Sequence, residues 1–336
     1  MARITVTGAN GFIGSAVTAA LLARGDTVWA FDQVHGTQLQ ALQRRFAGLR
    51  IQLGEISEWQ HVVDLLRLAN PDAVVHCAAV VGVVAGAAAP MSTVRVNIGG
   101  THSVLEAMRL CGTRRLVNIS TEEVYGHFRA DRIDEDHPCL PLTPYGISKF
   151  AVEQLSRDYQ RRYGLDAIHL RTCWVYGPGL PRPRPPKTLL EAALARRPLH
   201  LPGGADFRVD HVYIDDAVAG VLAAVDVPAH AHDVYHIATG TAPSMREMLD
   251  IIIELCPGAE LTVADGPMRF DEQHEVVRKG ALDIGRARQE LGYRPNFDLR
   301  TGLQYYVEYL RAAGEAGASS SAVPVATDFT SSRSQR

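Results

Sequence analysis

Three glycines at three-residue spacing, directly behind a short β-branched run, constrain this chain more than any other stretch: ITVTGANGFIG, residues 4–14. Ile4-Thr5-Val6-Thr7 reads as a buried strand, and Ser15-Ala16-Val17-Thr18-Ala19-Ala20-Leu21-Leu22 as the helix that Gly8, Gly11 and Gly14 open. A strand, a glycine turn and a helix N-terminus leave bare backbone N–H groups where a phosphate can approach. A tight strand-to-helix turn with no ligand has the same spelling, so the motif needs company elsewhere in the chain.

Strand-like and helix-like segments alternate through the first half. Thr27–Phe31, Ala73–Cys77, Arg115–Ile119 and Ala167–Leu170 are short apolar runs, and a helical stretch around Val62–Leu68 ends at the Pro71-Asp72 breaker. Helices between short apolar strands predict right-handed crossovers and a parallel sheet covered on both faces. The expected fold is α/β, a doubly wound parallel sheet of the Rossmann type with a smaller mixed α/β substrate lobe. Residues 177–186, GPGLPRPRPP, admit neither helix nor central strand and mark the change to that lobe. The expected division is a dinucleotide-binding domain over 1–175 with a return segment about 212–240, then a mainly substrate-binding lobe over 176–312. The tail 313–336, rich in Ala, Ser, Gly and Thr, is expected to be disordered.

Composition excludes several classes of function. The net charge of −3 gives no basic surplus for nucleic acid or an anionic membrane. No run of about twenty apolar residues is present, and Met1-Ala2-Arg3 leads straight into a strand, so no leader is expected. The five cysteines are scattered and form neither a C-x-x-C pair nor a His-rich cluster, so neither disulfides nor a metal site are expected. A cytoplasmic location follows as the expectation.

Three companions join the glycines. Asp32 closes the second strand, where an acid can hydrogen-bond a ribose diol and repel a 2′-phosphate, which favours NAD over NADP. Tyr145 and Lys149 stand four apart on one helix face. A phenol with a pKa of about 10 becomes a usable acid or base when a nearby ammonium stabilises the phenolate. Ser120-Thr121-Glu122-Glu123 falls at a strand end, where open parallel sheets bind their ligands. A helix-capping Thr followed by first-turn acids reads the same way.

TGANGFIG, Asp32, HCAA (76–79), Asn97, STEEVYG (120–126), YGISK (145–149) and RTCWVYGPG (171–179) occur together and in order. Over roughly residues 3–312 the chain resembles the extended short-chain dehydrogenase/reductases, the NAD-dependent epimerase/dehydratase family. The resemblance implies that Gly8, Gly11 and Gly14 hold the pyrophosphate of NAD, with Asn10, Phe12 and Ile13 in the same turn. It places Asp32 at the adenine ribose, Glu55 and Ile56 at the adenine, and Cys77, Ala78 and Ala79 along the cofactor. Tyr145 would be the base, Lys149 would hold the nicotinamide ribose and lower the tyrosine pKa, and Thr121 would hydrogen-bond the reacting hydroxyl. The implied partner is a small-molecule substrate, a nucleotide sugar, and the implied assembly a homodimer. Its pairing helices would be those around 100–110 and 150–162, with Val104, Met108, Val152 and Leu155 as apolar positions.

Glu122-Glu123 resembles the acid pair of sugar-nucleotide 4,6-dehydratases, usually Asp-Glu, in which the glutamate removes the C5 proton and the aspartate protonates the departing C6 hydroxyl. Trp174 stands where relatives carry an asparagine at the substrate diphosphate. Val209 occupies an arginine's place, with Arg208 one residue away as the candidate anion contact. Two enzyme readings follow: a nucleotide-sugar epimerase or dehydratase, or a net NAD-dependent dehydrogenase of a smaller substrate such as a free sugar or sugar acid. A binding protein that kept the fold and lost turnover is the third.

Overall fold

In the computed structural model, the described residues are 1–269 and 276–319. Seven parallel strands form the main sheet, in the spatial order Val234–Ile237, Asp166–Thr172, Arg115–Thr121, Ala73–His76, Arg3–Thr7, Thr27–Asp32, Leu49–Leu53. The chain starts in the interior at Arg3–Thr7, winds outward to Leu49–Leu53, then returns to Ala73–His76 and winds the other way. Its direction therefore reverses beside the first strand, and such a switch point opens a crevice at the carboxyl ends of the strands.

Both sheet faces are covered. Helices Phe12–Ala23 and Ile214–Asp226 pack together on one side, and Trp59–Ala69 and Gly100–Cys111 on the other. The strands carry apolar side chains on both faces, so Ile4, Val6, Val28, Val75 and Val117 join one core cluster while Phe31, Val74 and Leu116 join the second. This two-sided burial is why the strands read as near-continuous apolar runs.

The return to the sheet runs through helix Ile214–Asp226 into strand Val234–Ile237, which pairs with Asp166–Thr172. The remaining small strands pair two by two: Trp174–Tyr176 with His211–Tyr213, Leu199–Leu201 with Leu261–Val263, and Arg132–Ile133 with Ala281–Leu282. Two strands are longer than expected, reaching Thr121 and Thr172, because the polar residues at their ends pair in register with each other.

The described residues include the first part of the expected tail, 313–319. Helix Leu299–Ser319 runs through its first residues, because the alanines there favour helix and the helix is anchored upstream by buried Leu303, Tyr306 and Val307. Residues 320–336 of that tail, and 270–275 of the expected substrate lobe, lie outside the described residues. Val104, Met108 and Val152 are buried in the chain's own core and present no face to a partner. Among the described residues no helix is long and apolar enough to cross a membrane.

Candidate active site

The glycine turn sets the floor of the site. Gly8 has φ +67°, and a Cβ there would lie 2.6 Å from the Ala78 nitrogen; a Cβ on Gly14 would lie 2.1 Å from the Gly8 carbonyl oxygen. Strand, turn and helix therefore close onto one another only without side chains. The start of helix Phe12–Ala23 lines the crevice, and the free N–H groups of a helix N-terminus are what an anion requires.

A cavity of about 660 Å³ opens there, and every residue expected to hold the cofactor lines it: Gly8, Asn10, Gly11, Phe12, Ile13, Gly14, Asp32, Glu55, Ile56, Cys77, Ala78, Ala79, Tyr145 and Lys149. Asp32 is oriented by two backbone donors, with the N–H of Asn10 giving its Oδ2 a hydrogen bond of 2.9 Å and that of Val34 reaching Oδ1 at 3.2 Å. A bare cradle with a carboxylate at the end of the second strand fits a dinucleotide. Asn97, in a π-helical turn over Val94–Gly99, accepts from the Val80 N–H at 2.7 Å and donates to Ser148 Oγ at 2.9 Å. It thereby ties the cavity wall to the Tyr145 helix.

That helix, Pro144–Tyr163, starts on Thr143, whose hydroxyl accepts the Gly146 N–H at 3.1 Å, with Pro144 pre-set for the first turn. A Cβ on Gly146 would lie 2.5 Å from the Glu123 carbonyl oxygen, so this glycine lets the helix start press against the turn Glu122–Tyr125. Thr121 caps that turn by accepting the Glu123 N–H at 3.2 Å, and its hydroxyl is also a hydrogen-bonding neighbour of the Tyr145 phenol. Both readings of Thr121, cap and substrate-side hydroxyl, are thus compatible in one residue.

Burial pushes the Tyr145 phenol up to about 12, against the charge of Arg182 and the Thr121 hydrogen bond. Arg184 also acts to lower it, and Glu123 to raise it. The Lys149 ammonium donates to the Ile119 carbonyl at 2.8 Å, and burial lowers its pKa to about 8. An i,i+4 spacing fixes a shared helix face, but the buried carbonyl decides where this amine points.

Glu122 and Glu123 line the same cavity and are buried. Burial is the largest influence on Glu122 and raises its pKa to about 7, with Lys279 opposing and Glu123 adding to the rise. Neither of its carboxyl oxygens has a hydrogen-bond partner among the described residues.

Trp174 forms a wall of the cavity and packs with Val209 and Val276. Arg208 does not line the cavity: it is exposed, 3.1 Å from Glu247 Oε2 and 3.2 Å from the Ala242 carbonyl. Two arginines from the proline-rich loop line it in its place. Arg182 donates to the Val81 carbonyl, and Arg184 stacks over Trp174 at 5.1 Å. A Cβ on Gly82 would lie 2.3 Å from Arg182 Nη1 and 3.9 Å from Arg184 Nη2, so both guanidinium groups converge on one spot. The alternating R-P-R-P spelling was the available signal for them, since proline fixes the backbone and leaves the arginines exposed to a ligand. Lys279, behind the acid pair, carries no signal in the sequence at all.

The family model described as "NAD dependent epimerase/dehydratase family" matches residues 4–238. A UDP-glucose 4-epimerase of Mycolicibacterium smegmatis is 32% identical over 92% of this chain and 98% of its own length. A dTDP-glucose 4,6-dehydratase of Streptomyces antibioticus is 31% identical over 92% of both. Among solved structures, the UDP-glucose 4-epimerase of Thermotoga maritima with UDP-glucose superposes with a TM-score of 0.83 at 28% identity, covering 92% of this chain and 98% of that one. With the glycine cradle, Asp32, Tyr145 and Lys149 gathered around one cavity, the chain belongs to the NAD-dependent epimerase/dehydratase family.

Proposed function

We propose that this chain oxidises a nucleotide sugar at C4 and converts it to a 4-keto-6-deoxy sugar, as a 4,6-dehydratase. The observation that carries the choice over a simple epimerase is the buried Glu122–Glu123 pair on the wall of the Tyr145 cavity. Relatives of both kinds are similar to the chain at nearly equal identity, so the similarity itself does not choose.

NAD, when bound in the cradle, supplies the reversible hydride acceptor. The chain's residues do the rest. Tyr145 takes the proton of the C4 hydroxyl, assisted by the Thr121 hydroxyl beside it, while Arg182 favours the phenolate. The resulting C4 ketone acidifies the C5 hydrogen, which the Glu123 carboxylate removes. Glu122, protonated below about pH 7, gives its proton to the departing C6 hydroxyl, and water leaves; the hydride taken from C4 is then returned to C6 while Glu123 gives a proton back to C5, which completes the 4-keto-6-deoxy product. Arg182 and Arg184 offer positive charge to the anionic part of the substrate from the proline-rich loop. The deciding experiment is turnover of dTDP-glucose and UDP-glucose in deuterium oxide. Solvent deuterium at C5 of a 4-keto-6-deoxy product is expected, and full turnover without it would leave an epimerase.

A second reading, a net dehydrogenase of a smaller substrate, is favoured by the position of Arg208 outside the cavity and by Trp174 in the asparagine's place. Accumulation of NADH in proportion to product would select it.

The working form is proposed to be a cytoplasmic homodimer. Five free cysteines suit a reducing compartment. Met91, Val94, Leu110 and Ile147 are exposed apolar residues on neighbouring helices and suit a second copy of the chain. Light scattering at micromolar concentration is expected to give twice the chain mass, and a single monomeric species would reject the dimer.

A further inference from the structure

A lysine distant in sequence lies beneath the acid pair. The Lys279 ammonium is 3.1 Å from Glu123 Oε1 and 3.6 Å from Glu122 Oε1, and its side chain is 0% exposed. It sits 5.5 Å from the centre of the Phe128 ring. The backbone on either side of it is clamped to the loop that follows the acids. The Phe128 N–H donates to the Arg278 carbonyl at 3.0 Å, the Arg278 N–H to His127 Nδ1 at 3.0 Å, and the Ala281 N–H to the Asp131 carbonyl at 2.8 Å. A Cβ on Gly280 would lie 2.3 Å from the Asp131 carbonyl oxygen, so the two segments are in full contact. Lys279 is not among the residues that line the cavity, so it acts on a substrate only through the acids.

We propose that Lys279 is a positioning residue that divides the acid pair by role: its ammonium, nearer to Glu123, fixes that carboxylate as the base and leaves Glu122 as the proton donor. The inference rests on the dehydratase reading for its chemistry, but the arrangement of charges does not depend on it. Two carboxylates sharing a buried site cannot both ionise without compensation. One cation between them permits one negative charge, and the shorter contact selects which residue bears it. The other groups facing Glu122 are Glu123 and Asp210, which favour its protonated form, and Arg184, which opposes it. Cys173 is its neutral neighbour from the adjoining strand end. For Lys279 itself, burial is the largest influence and acts downward, yet the two carboxylates together hold its pKa above the usual lysine value.

The test needs no substrate. In an infrared pH titration of the NAD-bound protein, the wild type is expected to show a protonated-carboxyl band that fades as pH rises through about 7 and is absent from Glu122→Gln. In Lys279→Met that band should persist to higher pH. A second protonated-carboxyl band, removed by Glu123→Gln, should also appear. Lys279→Arg should restore the wild-type pattern. Bands unchanged in Lys279→Met would overturn the proposal. Should Lys279→Met fail to fold, Lys279→Gln, which keeps a polar head of similar length, is subject to the same two outcomes. With a turned-over sugar nucleotide, kcat of the methionine variant should fall by about a hundredfold with NAD affinity unchanged. Altered bands without any sugar-nucleotide turnover would reject the dehydratase reading and keep Lys279 in its role. Turnover with unaltered bands would do the reverse.

Discussion

Gly14 rests against the carbonyl of Gly8, so closely that a Cβ on Gly14 would lie 2.1 Å from that oxygen. The contact involves backbone on one side and a helix on the other, and neither can rotate away. Gly14→Ala should therefore push the first helix from the turn and destabilise the chain by about 1–3 kcal/mol, as overpacking does. NAD affinity should fall by about tenfold or more, equivalent to about 1.4 kcal/mol per decade. Urea unfolding and calorimetric NAD titration measure the two effects separately.

Asp32 is held by the N–H groups of Asn10 and Val34, with its carboxylate at the cavity edge. Removing it as Asp32→Ala takes away the diol acceptor and the repulsion of a 2′-phosphate together. NAD binding should weaken and its advantage over NADP should narrow. A wild type that binds NADP better than NAD in the same calorimeter would refute this assignment.

Tyr145→Phe should leave the fold and NAD affinity intact, because the ring packing survives and only the hydroxyl is lost. Turnover should drop by about two to four orders of magnitude, the usual scale for a general acid/base. Near-normal rates in this variant would assign the proton transfer to another residue.

On the proposed dehydratase reading, the pH dependence of the elimination step follows from Glu122. Burial raises its pKa to about 7, so its protonated form is populated below that pH and lost above it. A proton donor of this kind gives a rate that is sustained on the acid side and falls as pH rises through about 7. Glu122→Gln should remove that limb along with most of the elimination, while oxidation of the sugar on mixing with enzyme remains visible as NADH absorbance.

Beneath the site, Arg171 and Glu153 form a buried ion pair at 2.6 Å, and Glu153 also accepts the Ser120 hydroxyl at 2.6 Å. Arg171→Met would strand the Glu153 carboxylate in the core, and breaking such a pair costs about 3–5 kcal/mol. Thermal unfolding should register the loss. Glu153 is held below the usual carboxylate range, with burial acting upward and the Arg171 hydrogen bond and charge outweighing it. The wild-type pair therefore contributes stability above the normal glutamate pKa and loses it as pH falls through the lowered value.

The local motifs were legible in the chain because each is written in adjacent residues whose geometry is fixed by bonded neighbours. β-branched runs, the glycine turn and the Tyr145–Lys149 spacing define strand, crevice and helix face before any long-range contact forms. From them the doubly wound sheet and the glycine floor of the cavity could be read, whereas Glu55, Ile56 and residues 77–79, which also line the cavity, were pointed to only by the family resemblance. What the tertiary structure decided is where charges meet. Arg208, the expected anion contact, pairs with Glu247 on the surface, while Arg182 and Arg184 are carried into the cavity by the proline-rich loop. Lys149 turns to the Ile119 carbonyl, and Lys279 reaches the acids from the far end of the chain. The reason is physical: side-chain spacing along an element is set by covalent geometry, whereas a buried charge settles against whichever partner the packed fold brings within a few ångströms, and no local pattern encodes that partner.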